Sequence, residues 1–236
     1  MAPLHASRRK ILLAGGVLAT FGTVGLGPGT ALASNRWETL PELPPMPPAT
    51  TSGYLDVNDI SVWYATFGEG KPLVLLHGGL GTAGQWAGQI PAFARQFTVI
   101  VMDSRGHGRS TRSAQPYSYE LMASDTLALM DKLQIQKASL VGFSDGGCTG
   151  LAIAIQNPER IDRLAVFGAN YNASALKDDW ADKPAVKLAQ PRGKAAYLRL
   201  SKTPADFDNF VAAVVKMWET EPNFSEDQLQ PAVLAA

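Results

Sequence analysis

Short apolar runs that alternate with helical stretches constrain the fold of this chain more than any other feature of its sequence. Each run is predicted to be a strand covered on both faces, because it shows no regular polar side. The runs are Leu73–Leu76, Phe97–Met102, Ala138–Phe143 and Leu164–Phe167. The stretches between them have helical spacing and cover residues 83–95, 118–133 and 146–156. This order predicts an α/β fold, a mostly parallel sheet with helices on both faces.

The pattern extends at both ends of this region. Tyr54–Val57 and Ile60–Phe67 are rich in strand-forming residues and flank Asn58-Asp59, which predicts a hairpin. Residues 171–230 carry helical patches without a strand, and the clearest patch is 206–219. These helices follow the sixth strand and can form a lid over a site. The alternative is that they are ordinary helices packed on the sheet.

Composition excludes several classes of protein. The chain has 236 residues, of which 46% are hydrophobic, so a sizeable core is expected and a disordered protein is excluded. Twenty-one basic residues balance 21 acidic ones, which argues against a nucleic-acid partner. The single cysteine, Cys148, excludes a disulfide framework and a cysteine-based zinc site, and no metal site is predicted.

Residues 1–33 have the pattern of an export signal. A basic cluster at 8–10 precedes an apolar stretch at 11–26, and Ala-Leu-Ala at 31–33 provides a cleavage motif. The paired arginines resemble a twin-arginine signal. Glycines dilute the apolar stretch, which favours cleavage after Ala33 over a stable membrane span, with an uncleaved anchor as the alternative. We expect export to the periplasm or the medium.

A proline-rich segment follows the signal. Five prolines lie within residues 41–48, which excludes a helix or a central strand there. We predict a stiff, extended linker that acts as a plain spacer. The predicted organisation is an export signal at 1–33, a linker at 34–52, an α/β core at 53–170, and a helical lid segment with the C-terminus at 171–236.

A nucleophile elbow is the strongest functional motif. Gly-Phe-Ser-Asp-Gly at 142–146 matches G-x-S-x-G and lies between a predicted strand and a predicted helix. The sharp reversal strains the backbone at Ser144, and a Cβ at Gly142 or Gly146 would clash. The turn lifts the Ser144 hydroxyl into a site, and the amide of Asp145 at the helix start can help to bind an oxyanion.

Two further glycine-rich loops follow predicted strands. The loop at 77–81 can bring a second amide to the oxyanion, with Gly79 as the first choice and Leu80 as the second. The loop at 103–110 is charged and rich in glycine, but it lacks the residue order of a phosphate-binding loop. We therefore predict that it is a structural turn.

Together, these motifs resemble the α/β-hydrolase superfamily over residues 54–170. They are Leu-His-Gly-Gly at 76–79, Asp-Ser-Arg-Gly-His-Gly-Arg-Ser at 103–110 and Gly-Phe-Ser-Asp-Gly-Gly at 142–147. The elbow, with Phe-Gly-Ala-Asn at 167–170, is similar to the biphenyl-hydrolase-like and valacyclovir-hydrolase group. The resemblance implies hydrolysis of a carboxylic ester, lactone or related acyl bond, without a cofactor. It implies Ser144 as nucleophile and the amides of Asp145 and Gly79 as the oxyanion hole.

Aromatic side chains suggest the kind of substrate. Trp86 and Phe143 are predicted to line the site, together with lid residues such as Trp180 or Trp218, which suggests a small apolar acyl or aryl group. The alternative for Trp86 and Phe143 is a purely structural place in the core.

The rest of the catalytic triad is missing from the expected positions. In this fold the acid and the histidine follow the serine, but no histidine follows His107. His77 and His107 belong to other turns, where contact with Ser144 is not expected. Residues 230–236 suggest the start of a seventh strand, cut short. We expect a C-terminally truncated fold without its last strands, with 164–167 as a poorly covered edge and marginal stability.

Three functions stay open. The first is an inactive product derived from an exported serine hydrolase, because the chain lacks the catalytic acid and base. The second is a non-catalytic module that binds a small molecule on a degenerate hydrolase fold. The third is an active enzyme that is completed by another polypeptide or by an atypical base.

Overall fold

A single six-stranded sheet organises the protein in the computed structural model, which describes residues 40–177 and 179–234. The strands are β1 (Thr51–Val57), β2 (Ile60–Phe67), β3 (Lys71–Leu76), β4 (Phe97–Met102), β5 (Ala138–Phe143) and β6 (Ile161–Phe167). Their spatial order is β1-β2-β4-β3-β5-β6. β1 and β2 form the predicted hairpin, β2 is antiparallel to β4, and the four strands from β4 to β6 are parallel. The predicted export signal lies outside the described residues.

Residues 40–177 and 179–234 form six α-helices around the sheet. They are α1 (Ile90–Phe93), α2 (Tyr119–Lys132), α3 (Asp145–Gln156), α4 (Pro184–Leu200), α5 (Phe207–Thr220) and α6 (Glu226–Leu234). Ser118 caps the start of α2, and its hydroxyl accepts a hydrogen bond from the Leu121 amide at 3.0 Å. No helix within the described ranges is long and apolar enough to cross a membrane.

The sheet separates two cores, because alternate side chains of each strand point to opposite faces. In β3, Val74 and Leu76 join the core beneath α2, α3 and α5. Leu73 and Leu75 join the other core, which includes side chains from α1 and from the short 3-10 helix Ala83–Trp86. The α/β architecture with both faces covered is therefore confirmed.

Two local expectations were wrong. The helix expected at 83–95 is replaced by the 3-10 helix and by α1, because Pro91 has no amide hydrogen to continue a longer helix. The strand expected near 230–236 is also absent from the described residues, since α6 runs to Leu234. Ser225 and Gln228 form a reciprocal capping box at its start, with hydrogen bonds of 2.8 and 3.2 Å.

β6 forms one edge of the described sheet. It pairs with β5 on one side only, and most of its residues are exposed. Phe167 is 51% exposed even though it is a large apolar side chain. The expectation of a poorly covered edge is thus met in this part of the chain. An apolar strand edge of this kind favours self-association.

We expect Ala165→Lys to reduce this self-association. Ala165 lies exposed on β6, where a lysine would place a charge at the strand edge without displacing a buried side chain. Sedimentation velocity over a range of protein concentrations measures the effect. Ala195→Lys, at an exposed position on α4, is the matched control. If both variants associate like the original chain, then β6 is not the contact surface.

Candidate active site

Ser144 occupies a strained turn between β5 and α3. Its φ of +52° and ψ of −121° lie in a region that residues other than glycine rarely adopt. Backbone hydrogen bonds hold it there: the Ser144 amide donates to the Phe167 carbonyl at 3.0 Å, and the Gly147 amide donates to the Ser144 carbonyl at 2.7 Å. Such strain persists only where the surroundings fix the conformation, as they do here.

Close backbone contacts explain the two glycines of the motif. A Cβ on Gly142 would lie 2.3 Å from the Gly146 carbonyl oxygen. A Cβ on Gly146 would lie 2.2 Å from the carbonyl oxygen of Leu76, at the end of β3. The elbow therefore packs directly against the neighbouring strand end, and neither site has room for a side chain.

Two amides beside the serine are open to a ligand. A Cβ on Gly78 would lie 3.1 Å from the Ser144 Cβ, so the 77–81 loop lies against the elbow. Among the described residues, neither the Gly79 amide nor the Asp145 amide donates to a protein acceptor. The Leu80 amide, in contrast, donates to His107 Nε2 at 3.2 Å. The alternative choice of Leu80 as an oxyanion donor is therefore not supported, because its hydrogen is already engaged.

Both described histidines form hydrogen bonds with backbone groups and none with Ser144. His77 Nε2 accepts from the Ser104 amide at 3.0 Å, and its Nδ1 donates to the Gly78 carbonyl at 2.8 Å. His107 uses Nε2 for Leu80 and Nδ1 for the Arg105 carbonyl at 2.9 Å. Burial lowers the pKa of His77, and it lowers the pKa of His107 to about 3. Both rings are neutral, fully bonded and unavailable as a base.

The 103–110 loop is a cross-linked structural turn, as its sequence predicts. The Asp103 carboxylate accepts from the Ala83 amide at 2.8 Å and from the Arg109 amide and side chain at 2.9 and 2.8 Å. The next charged residue, Arg105, pairs with Asp125 of α2 beneath the surface. These contacts hold the loop in place between the 3-10 helix and α2.

The Asp145 side chain connects the elbow to the segment after β6. It is buried, and the indole of Trp218 on α5 donates to its two oxygens at 3.0 and 2.8 Å. The Tyr119 hydroxyl donates to the same carboxyl at 3.2 Å. Burial raises the pKa of Asp145 to about 6, and these two donors only partly offset the effect. The sequence placed Trp218 near the site but gave no sign of this contact.

A cavity of about 630 Å³ opens above Ser144. Its sheet side includes Trp86 and Phe143, which pack around Phe167 with ring centroids 6.0 and 5.1 Å away. The two predicted substrate-binding aromatics thus line the cavity and also belong to packed clusters. The opposite side is formed by residues of α4 and α5 and by Trp180. These helices therefore cover the site as a lid, while α5 also packs into the core.

No described histidine contacts Ser144. Two carboxylates, those of Asp145 and Glu221, line the cavity, but both are engaged with other groups. Cys148 is buried, its thiol donates to the Asn170 carbonyl at 3.3 Å, and burial raises its pKa to about 12. The described site therefore contains a serine hydroxyl and two amide donors without an adjacent base.

Comparisons with known proteins agree with the α/β fold. A family model described as "alpha/beta hydrolase fold" matches residues 71–225. The chain is 40% identical over 114 residues to 3-oxoadipate enol-lactonase 2 of Acinetobacter baylyi, covering 48% of this chain and 43% of that protein. It is 36% identical over 111 residues to the soluble epoxide hydrolase of a Corynebacterium species, covering 47% of this chain and 39% of that protein.

A solved structure is similar in fold. The enol-lactonase from Burkholderia xenovorans LB400 superposes with a TM-score of 0.51 and 26% identity, over 78% of this chain and 72% of that one. The chain spans less than half the length of the two curated relatives named above.

Proposed function

The chain belongs to the α/β-hydrolase family, and from this premise we propose that Ser144 is the nucleophile of a serine hydrolase. It acts on a carboxylic ester, a lactone or a related acyl bond. One observation carries the proposal: Ser144 lies in a strained elbow at the floor of a cavity, beside two amides that have no acceptor in the part of the chain that the structure describes. The similarity to enol-lactonases supports the choice of an acyl bond.

The proposed reaction proceeds through an acyl-enzyme. Ser144 Oγ attacks the substrate carbonyl carbon and loses its proton to a base. The carbonyl oxygen becomes an oxyanion that accepts from the Gly79 and Asp145 amides, and the start of α3 favours the negative charge. The tetrahedral intermediate then expels the alcohol, which takes up a proton. Water cleaves the acyl-enzyme by the same steps and releases the acid.

We propose that this chain alone does not turn over. Ser144 needs a base, and the described residues place no imidazole beside it. In serine hydrolases, loss of the base lowers kcat by a factor on the order of 10⁶. An imidazole from outside the described residues would complete the site. The second candidate, a small-molecule-binding module, is favoured by the same observation, since the cavity and lid form without a base.

The proposal extends to the location of the protein, from residues 1–33, and to the type of substrate, from the cavity lining. The export signal suggests that the protein acts in the periplasm or the medium. The aromatic lining fits a small apolar acyl or aryl group.

Labelling with a fluorophosphonate tests the role of Ser144. The reaction forms an Oγ–P bond, releases fluoride and transfers the hydroxyl proton to a base. We expect slow labelling of the chain alone and an increase of about 100-fold when free imidazole supplies the base. Mass spectrometry measures the rate. Cys148→Ala should label normally, and Ser144→Ala should not label.

Each outcome separates the candidates. Fast labelling without imidazole would contradict the proposed inactivity and support an enzyme with its own base. Absence of label under both conditions, in a folded protein, would contradict the hydrolase proposal and support the binding module.

A further inference from the structure

The proline-rich segment packs against the folded domain. Residues 40–50 form no helix or strand, yet the Thr50 amide donates to the Thr66 carbonyl of β2 at 2.8 Å. Met46 packs against the core that contains Trp86. Pro44 approaches Gly88, where an added Cβ would lie 3.8 Å from its Cγ. Proline limits the conformations of this segment, so these contacts fix its path. We call residues 40–46 the strap.

The strap contributes two apolar side chains to the cavity. Leu40 and Leu43 both line it, and they remain 37% and 42% exposed. The fold itself therefore leaves much of their surface uncovered. A ligand in the cavity would cover it, and burial of apolar surface is favourable.

A polar contact holds the strap to the lid. Arg192 of α4 donates to the Leu40 carbonyl at 3.0 Å and lies 3.6 Å from the Glu42 carboxylate. Glu42 is almost fully exposed, so the ion pair contributes little, and the bond to the carbonyl is the more informative contact. Arg192 also lines the cavity. It therefore connects the strap, the lid helix and the ligand space.

We propose that the strap is a specificity-determining wall of the acyl-binding cavity, in which Leu40 and Leu43 contact the end of an apolar acyl group that lies away from its carbonyl carbon. Arg192 is a positioning residue that holds this wall against α4. The inference rests on the proposed function, since it assigns the cavity to the acyl part of an ester. It predicts a preference for octanoyl over butanoyl groups that depends on the strap.

Binding in a Ser144→Ala background tests the strap without any acyl transfer. Methyl butanoate and methyl octanoate are titrated, and the fluorescence of the cavity tryptophans reports binding. Leu40→Ala combined with Leu43→Ala should raise the Kd for methyl octanoate by roughly 10-fold, because two apolar contacts are lost. The Kd for methyl butanoate should stay unchanged. Arg192→Ala should also raise the Kd for methyl octanoate and leave that for methyl butanoate unchanged, but by a smaller factor than the double leucine variant.

Leu198→Ala is the matched control, because Leu198 is exposed on α4 and is not part of the cavity lining. Thermal unfolding verifies that the variants fold alike, which is expected for partly exposed leucines. Equal losses for the two esters, no loss for either, or no ester binding at all would each overturn the strap proposal. Labelling of Ser144 would be unaffected by any of these results, so the two proposals fail independently.

Discussion

Asp125→Ala is expected to lower the free energy of unfolding by about 3–5 kcal/mol, because the buried charge of Arg105 would keep only the partly exposed Asp59 carboxylate, 3.3 Å away. Arg105 Nε lies 2.6 Å from one Asp125 oxygen, and its Nη2 lies 2.8 Å from the other. Both side chains are only 1% exposed. Asn58 also donates to Asp125 at 2.7 Å, so a further, partly buried hydrogen bond would be lost.

Urea unfolding measures the effect, and a surface pair provides the control. Asp131→Ala removes the partner of Arg160, which lies 2.6 Å away, but Asp131 is 60% exposed. A loss of about 1 kcal/mol or less is expected there. Similar losses in both variants would show that water reaches the Arg105 pair. Should Asp125→Ala fail to fold, Asp125→Asn keeps the size of the side chain and should still unfold well before the control.

Gly146→Ala is expected to abolish most of the reactivity of Ser144. The new Cβ would lie 2.2 Å from the Leu76 carbonyl oxygen and 2.5 Å from its carbon. These are backbone atoms of a central strand and cannot move aside, so the start of α3 must shift. Displacement of reacting groups by about 1 Å can cost on the order of 100-fold in rate. Fluorophosphonate labelling in the presence of imidazole should therefore slow by at least about that factor.

Gly150→Ala, on the same helix, is the matched control. Its Cβ would meet a terminal methyl group of Leu164, which can rotate away, and alanine favours a helix over glycine. Labelling close to the original rate is expected for this variant. Normal labelling of Gly146→Ala would mean that the elbow tolerates displacement and that its close packing is not needed for reactivity.

Much of the fold could be predicted because its signals are local. Apolar runs gave the strands, Ser118 marked the start of α2, and glycines on both sides of Ser144 marked the elbow. The capping box from Ser225 to Gln228 was equally local, although the strand expectation for the tail overlooked it. Local signals suffice where neighbouring residues decide the structure.

The contacts that join distant segments could not be predicted in this way. The bond between Trp218 and Asp145 spans 73 residues, and the amide of Leu80 is taken by a histidine 27 residues away. Arg192 reaches 152 residues back to the carbonyl of Leu40. No spacing rule indicates such pairs, since they depend on how the lid and the proline-rich segment pack onto the finished sheet.

The position of Cys148 has a practical consequence. It is the single cysteine of the sequence, and its buried thiol contacts Asn170 just beyond β6. A thiol reagent can reach it only when α3 and that segment separate for a moment. The rate of its modification therefore reports how often the region around α3, behind Ser144, opens. Cys148 can therefore be used to measure local opening in this region without an engineered label.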